Sequence, residues 1–296
     1  MIRFFYKLFL FSTLVTAIIL LMCIVYVYQV RNFYKPKIEI NSVFLGDSHF
    51  QNGINDELIM NSKNYATSAE ALIYSRIKLN YLLSKNHSID NVFLSVGSHT
   101  FSNSVDTSWI CSEDNFLAKT SSFYPLYRMK DVYELTEFSG HYSFILLLHK
   151  ILWQNIYSIE RQILVGKLPF IGGYTPNNQK LSIDQNETIN DSTIFPFRVS
   201  KIQQKEFLKI KNKCKEANVN LILINTPVYR TSKENDCFGD SELCELISDL
   251  TIWDYSDLFD KPHYFADRNH LNPYGAEILS KLVNDSLNIG FKTQIN

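Results

Sequence analysis

The chain has 296 residues, 46% hydrophobic and 14% aromatic, with 29 basic against 30 acidic side chains. That balance excludes the basic footprint of a general nucleic-acid binder, and the apolar content excludes a disordered chain. Past the N-terminal segment, about 260 residues remain, enough for one domain with a substantial core.

From Leu8 to Tyr28 the chain carries no charge and is dominated by Leu, Ile, Val and Phe. That is about the twenty residues a helix needs to cross a bilayer. Arg3 and Lys7 precede it and Arg31, Lys35 and Lys37 follow, so both flanks are basic and charge does not fix the orientation. A cleavable signal peptide competes with this reading, but no small-x-small cleavage site follows in the bulky run Tyr26 to Val30. Residues 1–35 are therefore read as an uncleaved membrane anchor, and 36–296 as a domain outside the cytoplasm.

Ile38 to Leu45 reads as a strand ending at Gly46-Asp47-Ser48-His49. Ala69 to Leu83 has apolar residues at spacings of three and four, as a helix requires. Asn91 to Val96 is a buried strand that runs into Gly97-Ser98-His99-Thr100. A helix is expected over about Val199 to Ala217, with Val199, Ile202, Ile210, Cys214 and Ala217 facing away from its lysines. Asn220 to Asn225 and Thr251 to Tyr255 are further strands, and Pro273 opens a closing helix where its missing N–H costs nothing. Such alternation predicts an α/β fold, a three-layer, doubly wound parallel sheet covered on both faces.

Residues from about 111 to 198 interrupt the alternation as a helical insertion. It holds aromatic-rich stretches, notably Tyr142 to Leu164, then a polar loop from Gly172 to Ser192. The cluster Phe144 to Leu148 is flanked by His149, Lys150 and Glu160, which argues against a second membrane crossing. Residues 234–260 carry nine acidic side chains and no Lys or Arg, read as a solvated face. Cys23 and Cys214 read as packing residues, and Cys237 and Cys244 stand close enough in sequence for a local disulfide. Cys111 has no evident partner, and neither a metal nor a cofactor is expected.

Two separated segments carry the chemistry. The first is Gly46-Asp47-Ser48, on the turn that leaves the first strand; the second is Asp267-Arg268-Asn269-His270, followed by Leu271-Asn272-Pro273-Tyr274-Gly275. A serine hydroxyl is a weak nucleophile until an imidazole takes its proton, and a carboxylate must hold that imidazole in the right tautomer. Ser48, His270 and Asp267 fit those roles in that order. Asp47 is read as fixing the backbone around the serine.

This pair of blocks resembles the SGNH/GDSL hydrolase superfamily, whose fold is flavodoxin-like. The membrane anchor and the Asp267 to Gly275 ending look most like the envelope polymer modifiers, the alginate O-acetyltransferase and teichoic acid D-alanine transfer groups. The resemblance implies an oxyanion hole built from the serine N–H, a glycine after the second strand and an asparagine after the third. This sequence departs at both places. Asn64-Tyr65-Ala66-Thr67-Ser68 has no glycine, and Ser98 and His99 stand where asparagine is expected. Ala66, Ser68, Ser98 and His99 are therefore the candidate oxyanion or substrate residues, with Asn103 more distant.

The resemblance implies a membrane-anchored esterase or O-acyltransferase acting on a cell-envelope polysaccharide, with a multi-spanning membrane protein supplying activated acyl groups. A membrane-proximal lipid or general esterase is the second reading. A non-enzymatic envelope assembly or glycan-binding protein on the same fold is the third.

Overall fold

The computed structural model describes residues 1–97, 99–110, 112–139, 149–157, 160, 171–182, 198–229 and 241–294. The chain divides into two compact units, Met1–Lys35 with Glu113–Ile171, and Pro36–Ser112 with Gly172–Asn296.

The second unit is built on a five-stranded, all-parallel sheet of order β2-β1-β3-β4-β5. The strands are β1 (Ser42–Leu45), β2 (Ser62–Asn64), β3 (Asn91–Val96), β4 (Asn220–Asn225) and β5 (Thr251–Asp254). β1 and β3 pair with Phe44 opposite Phe93, and β3 and β4 with Phe93 opposite Ile222. On one face these side chains pack with Phe50, Leu279 and Val283 of α2 (Ser48–Gly53) and α10 (Pro273–Gln294). The Phe44 and Phe93 rings stack at 4.6 Å in the middle of this layer. α3 (Leu72–Lys85) and α8 (Lys201–Ala217) pack against each other, and both contact the sheet. Helices thus cover both sides, as the alternating pattern requires.

Several boundaries differ from the sequence reading for local reasons. β1 starts at Ser42 rather than Ile38, because a turn bonds the Ile40 N–H to the Lys37 carbonyl and leaves Ile38 exposed. α3 starts at Leu72 rather than Ala69, because Ala69 takes φ 50 and Ala71 is extended. α8 is capped by Ser200, which accepts from the Gln203 N–H. Its buried face carries Gln203, Glu206, Phe207, Ile210 and Cys214, while Ala217 is exposed. Glu206 is tolerated there because Arg76 of α3 bonds it at 2.5 Å.

A second buried pair fixes the turn after β2. Lys78 and Glu70 form an ion pair with neither side chain exposed. Lys78 Nζ also donates to the Tyr65 carbonyl at 2.8 Å, and Glu70 accepts from Ser75 and Thr67. Burial pushes the Lys78 amine below its ordinary value, with Glu70 opposing the shift.

The first unit joins α1 (Ile2–Phe33) to α5 (Glu113–Phe123), α6 (Met129–Ser139) and the helical residues 149–157, here α7. The single turn Asn103–Val105 is α4 and Ser241–Ile247 is α9. The expected helix over Tyr142 to Leu164 is described only at α7 and residue 160. Cys111, Cys237 and the cluster Phe144 to Leu148 lie outside the described residues, as does the loop beyond residue 182.

Candidate active site

β1 is followed at once by Gly46, where φ is 141 and an added Cβ would strike the Ser95 side chain of β3. Only glycine lets the chain turn so close to its neighbour. Asp47 then caps α2, its carboxylate accepting the His49 N–H at 3.0 Å. Ser48 is therefore the first helical residue, half-buried at the carboxyl end of the sheet.

The loop after β5 brings the second block to it. An antiparallel bridge between Phe265 and Leu271 closes the loop, and the Ala266 N–H donates to the His270 carbonyl at 2.9 Å. Asn272 fastens this loop to α10. Its amide donates to the His263 and Phe265 carbonyls, and its oxygen accepts the Tyr274 and Gly275 N–H groups. α10 in turn holds the chain just beyond α2, since the Ser280 hydroxyl accepts the Asn55 N–H at 2.8 Å and Asn284 accepts the Met60 N–H at 3.1 Å.

The result brings Ser48, His270 and Asp267 into line. His270 Nε2 lies 2.8 Å from Ser48 Oγ, and His270 Nδ1 lies 2.9 Å from each Asp267 carboxylate oxygen. A carboxylate only accepts, so Nδ1 carries the proton and Nε2 presents its lone pair to the serine hydroxyl. Asp267 also accepts the Asn269 and His270 N–H groups at 2.8 and 3.0 Å. Partial burial works against its charge, but the His270 ring and these N–H groups hold its carboxyl below the usual carboxylate range.

A second Asp–His pair stands beside the first. His99 Nε2 lies 2.6 Å from Asp47 Oδ2, and the Ser95 hydroxyl donates to Asp47 Oδ1 at 3.2 Å. Burial opposes the charge on Asp47, yet His99, His49 and their hydrogen bonds hold its carboxyl far below the ordinary range. Burial likewise opposes charge on His99, but Asp47 outweighs it and raises the imidazole's value. His49 lies between the two pairs. Its ring stacks on His99 at 4.6 Å and leans on His270 at 5.5 Å, while Nδ1 meets the Thr226 hydroxyl at 3.2 Å. Burial pushes His49 down to about 3, against the pull of Asp47.

The remaining candidates are placed as follows. The Ala66 N–H donates to Asn64 Oδ1 at 2.9 Å, so it is already committed inside its own turn. The Ser68 hydroxyl donates to Gln51 Oε1 at 2.5 Å. The Nε2 of His99 is engaged by Asp47, Asn103 begins α4, and Ser98 lies outside the described residues. Sequence reasoning passed over His49, Thr226, Ser95 and Gln51. It also passed over Ala69, the residue after Ser68, held at φ 50, a conformation that strains a non-glycine residue by about 1–2 kcal/mol.

Asp47, His49 and His99 offer ligand atoms within 4.8 Å of one another. The two imidazoles lie 17° from parallel, so their in-plane lone pairs do not converge on one point. A shared ion would need one ring to rotate away from its present hydrogen bond.

No family model matches the chain, and no curated protein matches it. A solved structure from Streptococcus pneumoniae, provisionally named a platelet activating factor, aligns over 94% of this chain and 98% of its own, at 15% identity and a TM-score of 0.40. That likeness is too weak to bear on fold or function.

Proposed function

We propose that the chain is a membrane-anchored serine acyl-transfer enzyme of the SGNH/GDSL type, an esterase or O-acyltransferase. The observation that carries the reading is the unbroken line from Asp267 through His270 to Ser48, with contacts of 2.9 and 2.8 Å. Ser48 Oγ attacks an acyl carbonyl as His270 Nε2 takes its proton, and Asp267 stabilises the imidazolium. His270 returns the proton to the departing oxygen, leaving an acyl group on Ser48. Water or a sugar hydroxyl, deprotonated by the same imidazole, then resolves the acyl-enzyme.

α1 supports the anchored part of the reading, being 32 residues long with an 18-residue window of mean hydropathy 2.8. The substrate we infer is an ester-bearing polysaccharide of the cell envelope, met outside the cytoplasm. An acyl donor made inside the cell then calls for a multi-spanning membrane partner, since among the described residues α1 is the one helix long and apolar enough to cross a bilayer.

The experiment is fluorophosphonate labelling of the full chain, mapped by mass spectrometry. An adduct on Ser48 that vanishes in Ser48→Ala and His270→Ala is the expected result. Folded protein that gives no adduct while an active esterase labels beside it removes the enzymatic reading.

A further inference from the structure

α1 meets the rest of its unit along only part of its length. Residues 1–18 are exposed throughout, whereas Ile19, Cys23, Tyr26, Val30 and Tyr34 form a covered stripe at steps of three and four. The cover comes from the segment after residue 113. The Tyr26 hydroxyl donates to the Ser122 carbonyl at 2.9 Å and its ring stacks on Tyr124 at 5.7 Å. The Asn155 amide of α7 reaches Cys23 Sγ at 2.9 Å.

The lengths do not leave room for that cover to stand wholly in water. The twelve helical steps from Lys7 to Ile19 rise only about 18 Å, against a hydrocarbon core of about 30 Å. Roughly eight more residues must lie in hydrocarbon, which reaches to near Val27. Cys23 is within that stretch, and so is the Asn155 it touches.

α7 is built for that depth. Asn155, 1% exposed, turns its amide to Cys23 and accepts from the Tyr124 hydroxyl at 3.2 Å, so the polar group facing α1 is satisfied. On other sides of the same helix Leu152, Trp153, Ile156 and Tyr157 are exposed, Trp153 by 57%. The Trp153 indole N–H donates to His149 Nε2 at 2.9 Å, which removes its need for water. Lys150 is exposed among the first described residues of the helix, with a stem long enough to carry its charge toward a headgroup.

We propose that α7 lies within the bilayer, with Leu152, Trp153, Ile156 and Tyr157 against the acyl chains of the leaflet from which α1 emerges, an inference that rests on α1 being the anchor proposed above. The anchor is then a small helical assembly that spans with one helix and seats a second in one leaflet.

The test uses the full chain in phosphatidylcholine vesicles. Of the three tryptophans, Trp109→Phe and Trp253→Phe leave Trp153 as the only emitter. Bromine on the lipid chains should extinguish most of its emission, and aqueous iodide should leave it unchanged. The same quenching difference between wild type and Trp153→Phe reads the site by one substitution if the double variant does not fold. Quenching by iodide and not by brominated lipid overturns the inference, as does protection from both, which would mean that a second copy or another membrane protein covers the face. Alkaline carbonate extraction separates the two readings, since release of the wild-type chain removes the anchor itself, whereas retention with an iodide-quenched Trp153 removes only the placement of α7.

Discussion

Two Asp–His pairs flank Ser48, made of the same two residue types and differing in surroundings. Asp267 and His270 belong to one surface loop, and the Asp267 side chain is 42% exposed. Asp47 and His99 come from the ends of different strands, and the Asp47 side chain is 4% exposed. In the first pair the imidazole spends one nitrogen on the carboxylate and offers the other to a hydroxyl 2.8 Å away. In the second, the nitrogen nearest the carboxylate is engaged by it at 2.6 Å. Proton transfer needs an imidazole with one nitrogen facing the reacting group. The first pair has that geometry, and the second acts as a support that holds the turn carrying the serine.

The sharpest way to break this contrast is to remove each imidazole. His270→Ala should lower fluorophosphonate labelling and acetyl-ester hydrolysis by on the order of 10⁴- to 10⁶-fold. His99→Ala should cost at most about a hundredfold, the scale of one lost positioning or oxyanion contact. Equal losses would make the second pair part of the proton path.

The carboxylates should divide the same way, with smaller effects. Asp267→Asn should slow the same reaction by on the order of 10²- to 10⁴-fold, toward the low end because water reaches the site. Asp47→Asn should act mainly on folding, lowering stability in urea by about 1–3 kcal/mol through loss of a buried charge-assisted bond. A larger rate loss from Asp47→Asn than from Asp267→Asn would reverse the assignment.

Stability should also depend on pH in two limbs. His49 titrates near 3 when folded and about 6.5 when unfolded, so the unfolded chain binds more protons between them and stability rises with pH across that window. His99 is raised by Asp47, so its contribution is whole below about 6.5 and is lost as pH climbs through the raised value. Thermal melting should therefore peak between the limbs, with His49→Phe flattening the rise between about 3 and 6.5, and Asp47→Asn flattening both the alkaline side and the further loss below the ordinary carboxylate range, where the depressed Asp47 takes up its proton. A single limb unchanged by both variants would detach the histidines from stability. The smallest effect belongs to Thr226→Val, expected to cost about 0.5–1.5 kcal/mol in the same melts, with catalysis nearly intact. A large rate loss there would give His49 a direct role.

The first Asp–His pair was legible in the sequence because its partners sit three residues apart and their chemistry is carried by residue type. The second was not, because Asp47 and His99 meet only when β1 and β3 pair, and no spacing within either segment announces it. The sheet was legible from the apolar runs at β3 and β4. β2 has three residues, too few for periodicity, and so the turn after it was read at Ala66 while the left-handed backbone falls at Ala69. An alanine hides such a position that a glycine would have marked. The packed stripe on α1 was hidden for the opposite reason, since a helix apolar all round gives no sign of which side meets protein.

Asn272 has a consequence for how the site responds to heat. Its four side-chain hydrogen bonds tie the His270 loop to the first turn of α10, and α10 is bolted to the chain just beyond the serine helix through Ser280 and Asn284. The distance between Ser48 and His270 is thus gauged by two bonds from α10 to the chain that follows the serine helix. On warming, the alignment of Ser48 with His270 should be lost when α10 loosens, while the five paired strands are still standing.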